Sequence, residues 1–182
     1  MRALLFVLVS LFFSSALLAK EIDVSKSTFH WKAEKKISKG HVGTIKLKSA
    51  SAQFIKNKIQ QAEFVMDMKS FDVTDLEGKW KKKFMDHVSG PDFFEVNKYP
   101  TAKLIINKQV GNDHVMGTLT IKDKSHPIKI KFTQSGNNYK GDMVFDRTKF
   151  GVVYNSSNFF ANLAADKIIK NDVVVSFNVV VK

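Results

Sequence analysis

"HPIKIKFT", residues 126–133, decides the fold. Successive side chains of an extended strand point to opposite faces, so Ile128, Ile130 and Phe132 share one side while Lys129, Lys131 and Thr133 share the other. One face is suited to a core and the other to water. The same period-two alternation recurs along the chain. In "TFHWKAE" (28–34), Phe29, Trp31 and Ala33 oppose His30, Lys32 and Glu34. In "VGTIKLKS" (42–49), Ile45 and Leu47 oppose Lys46 and Lys48, and in "AEFVMDMK" (62–69), Phe64, Met66 and Met68 oppose Glu63, Asp67 and Lys69. The terminal "NDVVVSFNVVVK" (171–182) aligns Val173, Val175, Phe177, Val179 and Val181. "TAKLIINKQV" (101–110), "VMGTLTIK" (115–122) and "NYKGDMVFDR" (138–147) complete eight strands, separated by turns such as Gly111-Asn112-Asp113 and Gly136-Asn137-Asn138.

Eight strands, each with one dry and one wet face, close into a barrel or stack as a sandwich. Lysines on the wet faces discourage pairing between sheet edges. A barrel of eight is just wide enough to fill with its own side chains or to hold one small ligand, and the pattern alone does not choose between the two. The 16 phenylalanines and 6 methionines are a large apolar inventory. Met66 and Met68 on one strand face offer a flexible, polarisable wall.

Two stretches break the alternation. Residues 72–90 place Trp80, Phe84 and Val88 at helical spacing, and residues 156–172 read as a helical turn or a long loop carrying a second pair, Phe159-Phe160. Within the first, "GKWKKKF" (78–84) interleaves four lysines with two aromatic rings. Such a segment either caps the barrel with its rings while the lysines face water, or rests on an anionic membrane. Just beyond it, Phe93 and Phe94 lie between the turn formers Gly90-Pro91-Asp92 and Asn97-Lys98-Tyr99-Pro100. Burying a phenylalanine is worth ~1.5–3 kcal/mol, so the pair is expected to fold back over the barrel mouth.

At the N-terminus, "MRALLFVLVSLFFSSALLAK" has one arginine, a long apolar run and small residues before Lys20, the layout of a secretory signal peptide cut after Ala19. A membrane anchor is the competing reading, given the length of the apolar run. Cleavage would leave residues 20–182 as one domain, periplasmic or secreted, with no cysteine for disulfides. The formal net charge is +12. For an exported chain, anionic lipid headgroups suit that charge better than nucleic acid, with solubility as the plainer account. A homodimer is compatible with these features.

Signatures of catalysis are missing. There is no G-x-S-x-G elbow, P-loop or G-x-G-x-x-G, and the five histidines show no HxH or HxxxH spacing. A metal site would have to be assembled from distant strands. No catalytic cofactor is expected.

The blocks "HVGTIKL" (41–47), "PDFFEVNKYPTAKL" (91–104), "MGTLTIKDKSHPIKI" (116–130) and "FDRTKFGVVYN" (145–155) resemble, in order and spacing, the YceI-like polyisoprenoid-binding proteins. The resemblance spans essentially all of residues 20–182. It implies an exported, extended lipocalin-like antiparallel barrel that binds and carries a long-chain amphiphile, such as a prenyl quinone or polyprenyl phosphate, without catalysis. The positions carrying the match are His41, Gly43, Phe93, Phe94, Tyr99, Pro100, Gly117, Leu119, Asp146, Arg147, Phe150 and Gly151. Asp146-Arg147 is either a structural ion pair or an orienting group for a polar head, and His41 either donates to the head or is satisfied within the fold. Asp123 stands where the family often has glycine, and Ser49-Ala50 replaces another glycine-containing turn.

The ligand-binding wall expected on this basis comprises Phe29, Trp31, Ile45, Leu47, Phe64, Met66 and Met68 from the first half. From the second half it takes Leu104, Ile106, Phe132, Phe145 and Phe177. His41, Phe84, Phe93, Phe94, Arg147 and Phe150 are expected at the mouth. The rival expectation is a ligand-free module that docks to a membrane or protein through the basic cap 78–84.

Overall fold

The computed structural model describes residues 18–182. The expected leader, residues 1–19, lies outside the described residues except for Leu18 and Ala19. With Lys20 these form a short strand, β1 (Leu18–Lys20), paired with residues 52–54.

Eight further strands run strictly up and down. They are β2 (Thr28–Lys35), β3 (His41–Ile55), β4 (Lys58–Val73), β5 (Thr101–Val110), β6 (His114–Ile121), β7 (Lys124–Ser135), β8 (Asn138–Asp146) and β9 (Ile169–Val180). The order β3-β2-β9-β8-β7-β6-β5-β4 returns to β3 through the β3–β4 pairing, which closes an eight-stranded antiparallel barrel. The interior is built from the faces the alternation predicts: Ile128, Ile130 and Phe132 of β7 are buried while Lys129, Lys131 and Thr133 face water.

β3 and β4, at 15 and 16 residues, are far longer than the segments that carry clear alternation. They meet at a tight turn whose Lys56 and Asn57 both have positive φ, the geometry of a two-residue hairpin. Bulges bend both strands so that they can wrap the barrel. Ser49-Ala50 sits at one of these, inside β3, and is not a turn. Another in β4 moves the inward face from Met68 to Phe71. Ser70 Oγ accepts from the Lys46 N–H at 2.8 Å and donates to the Asp67 carbonyl at 2.6 Å, while Asp67 Oδ1 accepts from the Lys69 N–H.

One end of the barrel, where β2, β4, β6 and β8 finish, carries the long connections, and we call it the mouth. Between β4 and β5 lies the helix α1 (Gly78–Ser89). Residues 156–168 contain turns and no helix. Among the described residues, no helix is long and apolar enough to cross a membrane.

Candidate functional site: an apolar hollow beneath an aromatic lid

The interior is not filled. A lower cavity of about 80 Å³ reaches toward the far end, which Phe54, Phe132 and Tyr139 close with rings 5.7–6.1 Å apart. Burial raises the Tyr139 phenol's pKa above its ordinary value. An upper cavity of about 170 Å³ lies under the mouth. The two share Phe29, Phe64, Leu104, Met143 and Val175 in their walls, so they adjoin along the barrel axis, with these five side chains as the neck between them. Polar atoms contribute almost nothing to the lining of either. The hollow is narrower than an ordinary small-molecule site of ~300 Å³ or more. Admitting a chain therefore requires side chains at the neck to rotate, a demand that the unbranched Met143 meets best.

The lid over the upper cavity is a run of stacked rings. Trp31 of β2 lies nearly parallel to Phe71 of β4 at 4.5 Å and to Phe84 of α1 at 6.3 Å. Phe84 also meets His41 at 4.7 Å. Phe94 touches Phe71, Phe93 stands 5.3 Å from Tyr154, and His87 bridges Phe93 and Tyr154. The Phe93-Phe94 turn is held by the Phe94 N–H donating to the Val88 carbonyl and by Lys122 Nζ donating to the Phe93 carbonyl at 2.7 Å. Both rings line the upper cavity. Lys81 Nζ donates to Asp72 at 2.8 Å and ties α1 to β4. Trp80, which helical spacing aligns with Phe84 and Val88, instead points outward and is 61% exposed.

Of the residues expected in the wall or mouth, Phe29, Phe64 and Leu104 line both cavities. Ile106, Phe132 and Phe177 line the lower one. Trp31, His41, Ile45, Met66, Met68, Phe84, Phe93, Phe94, Phe145 and Arg147 line the upper one. Leu47 and Phe150 are buried but line neither; Phe150 packs edge-on against Phe145 and His126. The neck residues Met143 and Val175 are absent from the sequence-based set, although their inward parity is legible in their strands.

Among the described residues, Arg147 is the one buried charged side chain, at 3% exposure. Its guanidinium donates to the carbonyls of Val152 (2.7 Å), Lys170 (3.1 Å) and Ile169 (3.1 Å). Burial holds its pKa down to about 10, against a smaller opposing effect of Asp146. Asp146 makes no salt bridge to it; its carboxylate accepts from the Thr148 N–H and hydroxyl and caps the turn Arg147–Phe150. Each of the two residues therefore fastens the loop after β8, and the expected ion pair does not form. His41 likewise has partners inside the fold, with Nδ1 3.2 Å from Asp75 Oδ2. No serine, threonine or aspartate lines either cavity, and among the described residues no group of three or more metal-ligating side chains is set to hold a cation. Such a wall can exclude water from a hydrocarbon chain.

An up-and-down eight-stranded antiparallel barrel around an apolar interior is a lipocalin-like binding-protein fold. Residues 21–181 match the model of the YceI-like domain, and the chain belongs to that family. Among solved structures it is similar to Burkholderia cenocepacia BcnA, with 25% identity and a TM-score of 0.68 over 89% of this chain and all of that one. It is also similar in fold to the Campylobacter jejuni YCEI protein, with 16% identity and a TM-score of 0.54 over 76% of this chain and 84% of that one. No curated protein matches it.

Proposed function

We propose that this protein is an exported carrier that sequesters the chain of an isoprenoid-type amphiphile in its barrel. The observation that carries this reading is the pair of adjoining apolar cavities, which have almost no polar surface and lie beneath a mouth closed by stacked aromatic rings. Each methylene moved from water into such a wall gains ~0.8 kcal/mol, so a long chain is held without any catalytic group. A polar head finds no partner within the hollow, because Arg147 and His41 are already engaged by the protein. The head belongs at the rim, where Lys35 borders the upper cavity.

Native mass spectrometry of the protein purified from its own host tests the reading. A stoichiometric hydrophobic adduct is expected, and Leu104→Trp at the neck should shorten or remove it. A bare polypeptide mass, together with no uptake of added prenyl lipids, would overturn it.

A further inference from the structure

We propose that the barrel mouth docks on an anionic lipid bilayer through three separate segments that each present an apolar side chain. Ile37, in the β2–β3 connection, is 66% exposed. Trp80 on α1 is 61% exposed, and Phe159 and Phe160, in the β8–β9 connection, are 56% and 44% exposed. All three connections leave the barrel at the same end. Of the other large exposed apolar residues among those described, Val110 lies at the opposite rim, and Val42 and Val144 lie singly on strands β3 and β8. Isolated apolar residues on a surface need no explanation, but four bulky ones gathered around the opening of an apolar hollow do.

Charge decides what covers them. Lys36, Lys39, Lys79 and Lys83 are exposed beside these residues, and none makes a salt bridge among the described residues. Most carboxylates nearby are occupied: Asp72 by Lys81, Asp86 by Lys82, Asp75 by His41, Asp166 by Lys167, and Glu34 by Lys32 and Lys170, while Glu77, exposed at the start of α1, makes no salt bridge among the described residues. What remains outward is a set of ammonium groups without a carboxylate partner, interleaved with rings; Lys79 Nζ lies 5.6 Å from the centroid of the Trp80 ring. That pairing suits the boundary of an anionic membrane, where lysines meet headgroups and tryptophan and phenylalanine sit at headgroup depth. A protein partner would need a shaped complement to three disconnected tips, whereas a bilayer conforms to them. Docked this way, the lid of rings faces the lipid surface. The docking surface is defined independently of what the hollow carries, so either idea can fail alone.

Trp80 supplies the probe, since the other tryptophan, Trp31, is buried. Purified protein is titrated with phosphatidylcholine vesicles with and without phosphatidylglycerol, at low and high salt. Expected are a blue shift of the Trp80 emission and its quenching by brominated acyl chains, on phosphatidylglycerol vesicles only and reduced by salt. Sedimentation with the same vesicles should weaken at least tenfold in both Ile37→Ser/Phe159→Ser and Lys79→Glu/Lys83→Glu. Val110→Ser should leave it unchanged. These substitutions touch exposed positions, and circular dichroism checks the fold of each. Absence of sedimentation on phosphatidylglycerol vesicles at low salt, or sedimentation insensitive to Ile37→Ser/Phe159→Ser, would overturn the proposal.

Discussion

At Gly43 an added Cβ would land on the carbonyl oxygen of Asp72 and 2.5 Å from Cζ2 of Trp31. Glycine is needed there because the indole lies flat over the backbone and donates Nε1–H to the carbonyls of Thr44 (3.2 Å) and Asp72 (3.1 Å). Gly43→Ala should cost ~3 kcal/mol, read as a lower denaturation midpoint, because neither the ring nor two backbone strands can yield. Glu34 is a second residue with a defined consequence. Lys170 and then Lys32 hold its carboxyl down to about 2, from the ordinary 4.5. A depressed folded-state value means the contribution is present above pH 4.5 and lost as pH falls toward 2. The melting temperatures of the native chain and of Glu34→Gln should therefore differ near neutrality, converge at about pH 2, and differ less in high salt because the group is exposed.

At the scale of elements, the β6–β7 hairpin turns on Lys122 and Asp123, both with positive φ (50° and 59°). This two-residue turn tolerates glycine better than a side chain. Asp123→Gly should raise stability by ~0.5 kcal/mol in urea titrations, since Lys122 keeps its bond to the Phe93 carbonyl. The helix shows where pattern reading stops. Its existence within residues 72–90 was legible from the spacing of Trp80, Phe84 and Val88, but its span, Gly78–Ser89, was not, and its docking surface is narrow. The stack on Trp31 takes Phe84, Val88 is buried beneath, and Trp80, one turn earlier, clears the barrel rim. Spacing placed the three residues on one face without showing how far along the helix the support extends.

For the whole molecule, the hollow makes stability dependent on what it holds. A chain that binds only the folded barrel stabilises it by RT ln(1 + [L]/Kd), ~2.7 kcal/mol at a hundredfold excess over Kd. A prenyl lipid should thus raise the melting temperature by several degrees, and Leu104→Trp should abolish the increase while keeping a cooperative transition. No shift with any long-chain amphiphile would argue for a barrel that serves only as a scaffold. The narrow neck gives a further reading: uptake should be slow and limited by movement of the lid and of Met143, rather than by diffusion.

The sequence alone determined the strands and their inward faces, because period-two burial is written locally in segments such as Ile128–Phe132, while the same pattern served a barrel and a sandwich equally and closure came from the pairing of β3 with β4. It also marked most of the wall, since inward parity is all that lining a barrel demands. Tertiary structure decided the rest. Whether Phe29, Phe64, Leu104, Met143 and Val175 meet across the axis depends on register and bulges set by pairing between distant strands. Likewise Asp146 and Arg147 are adjacent in sequence, but the loop geometry turns one to cap a backbone turn and buries the other among carbonyls. The hollow exists because eight closed strands enclose more volume than their inward side chains fill, and volume is a property of the closed barrel that no single strand carries.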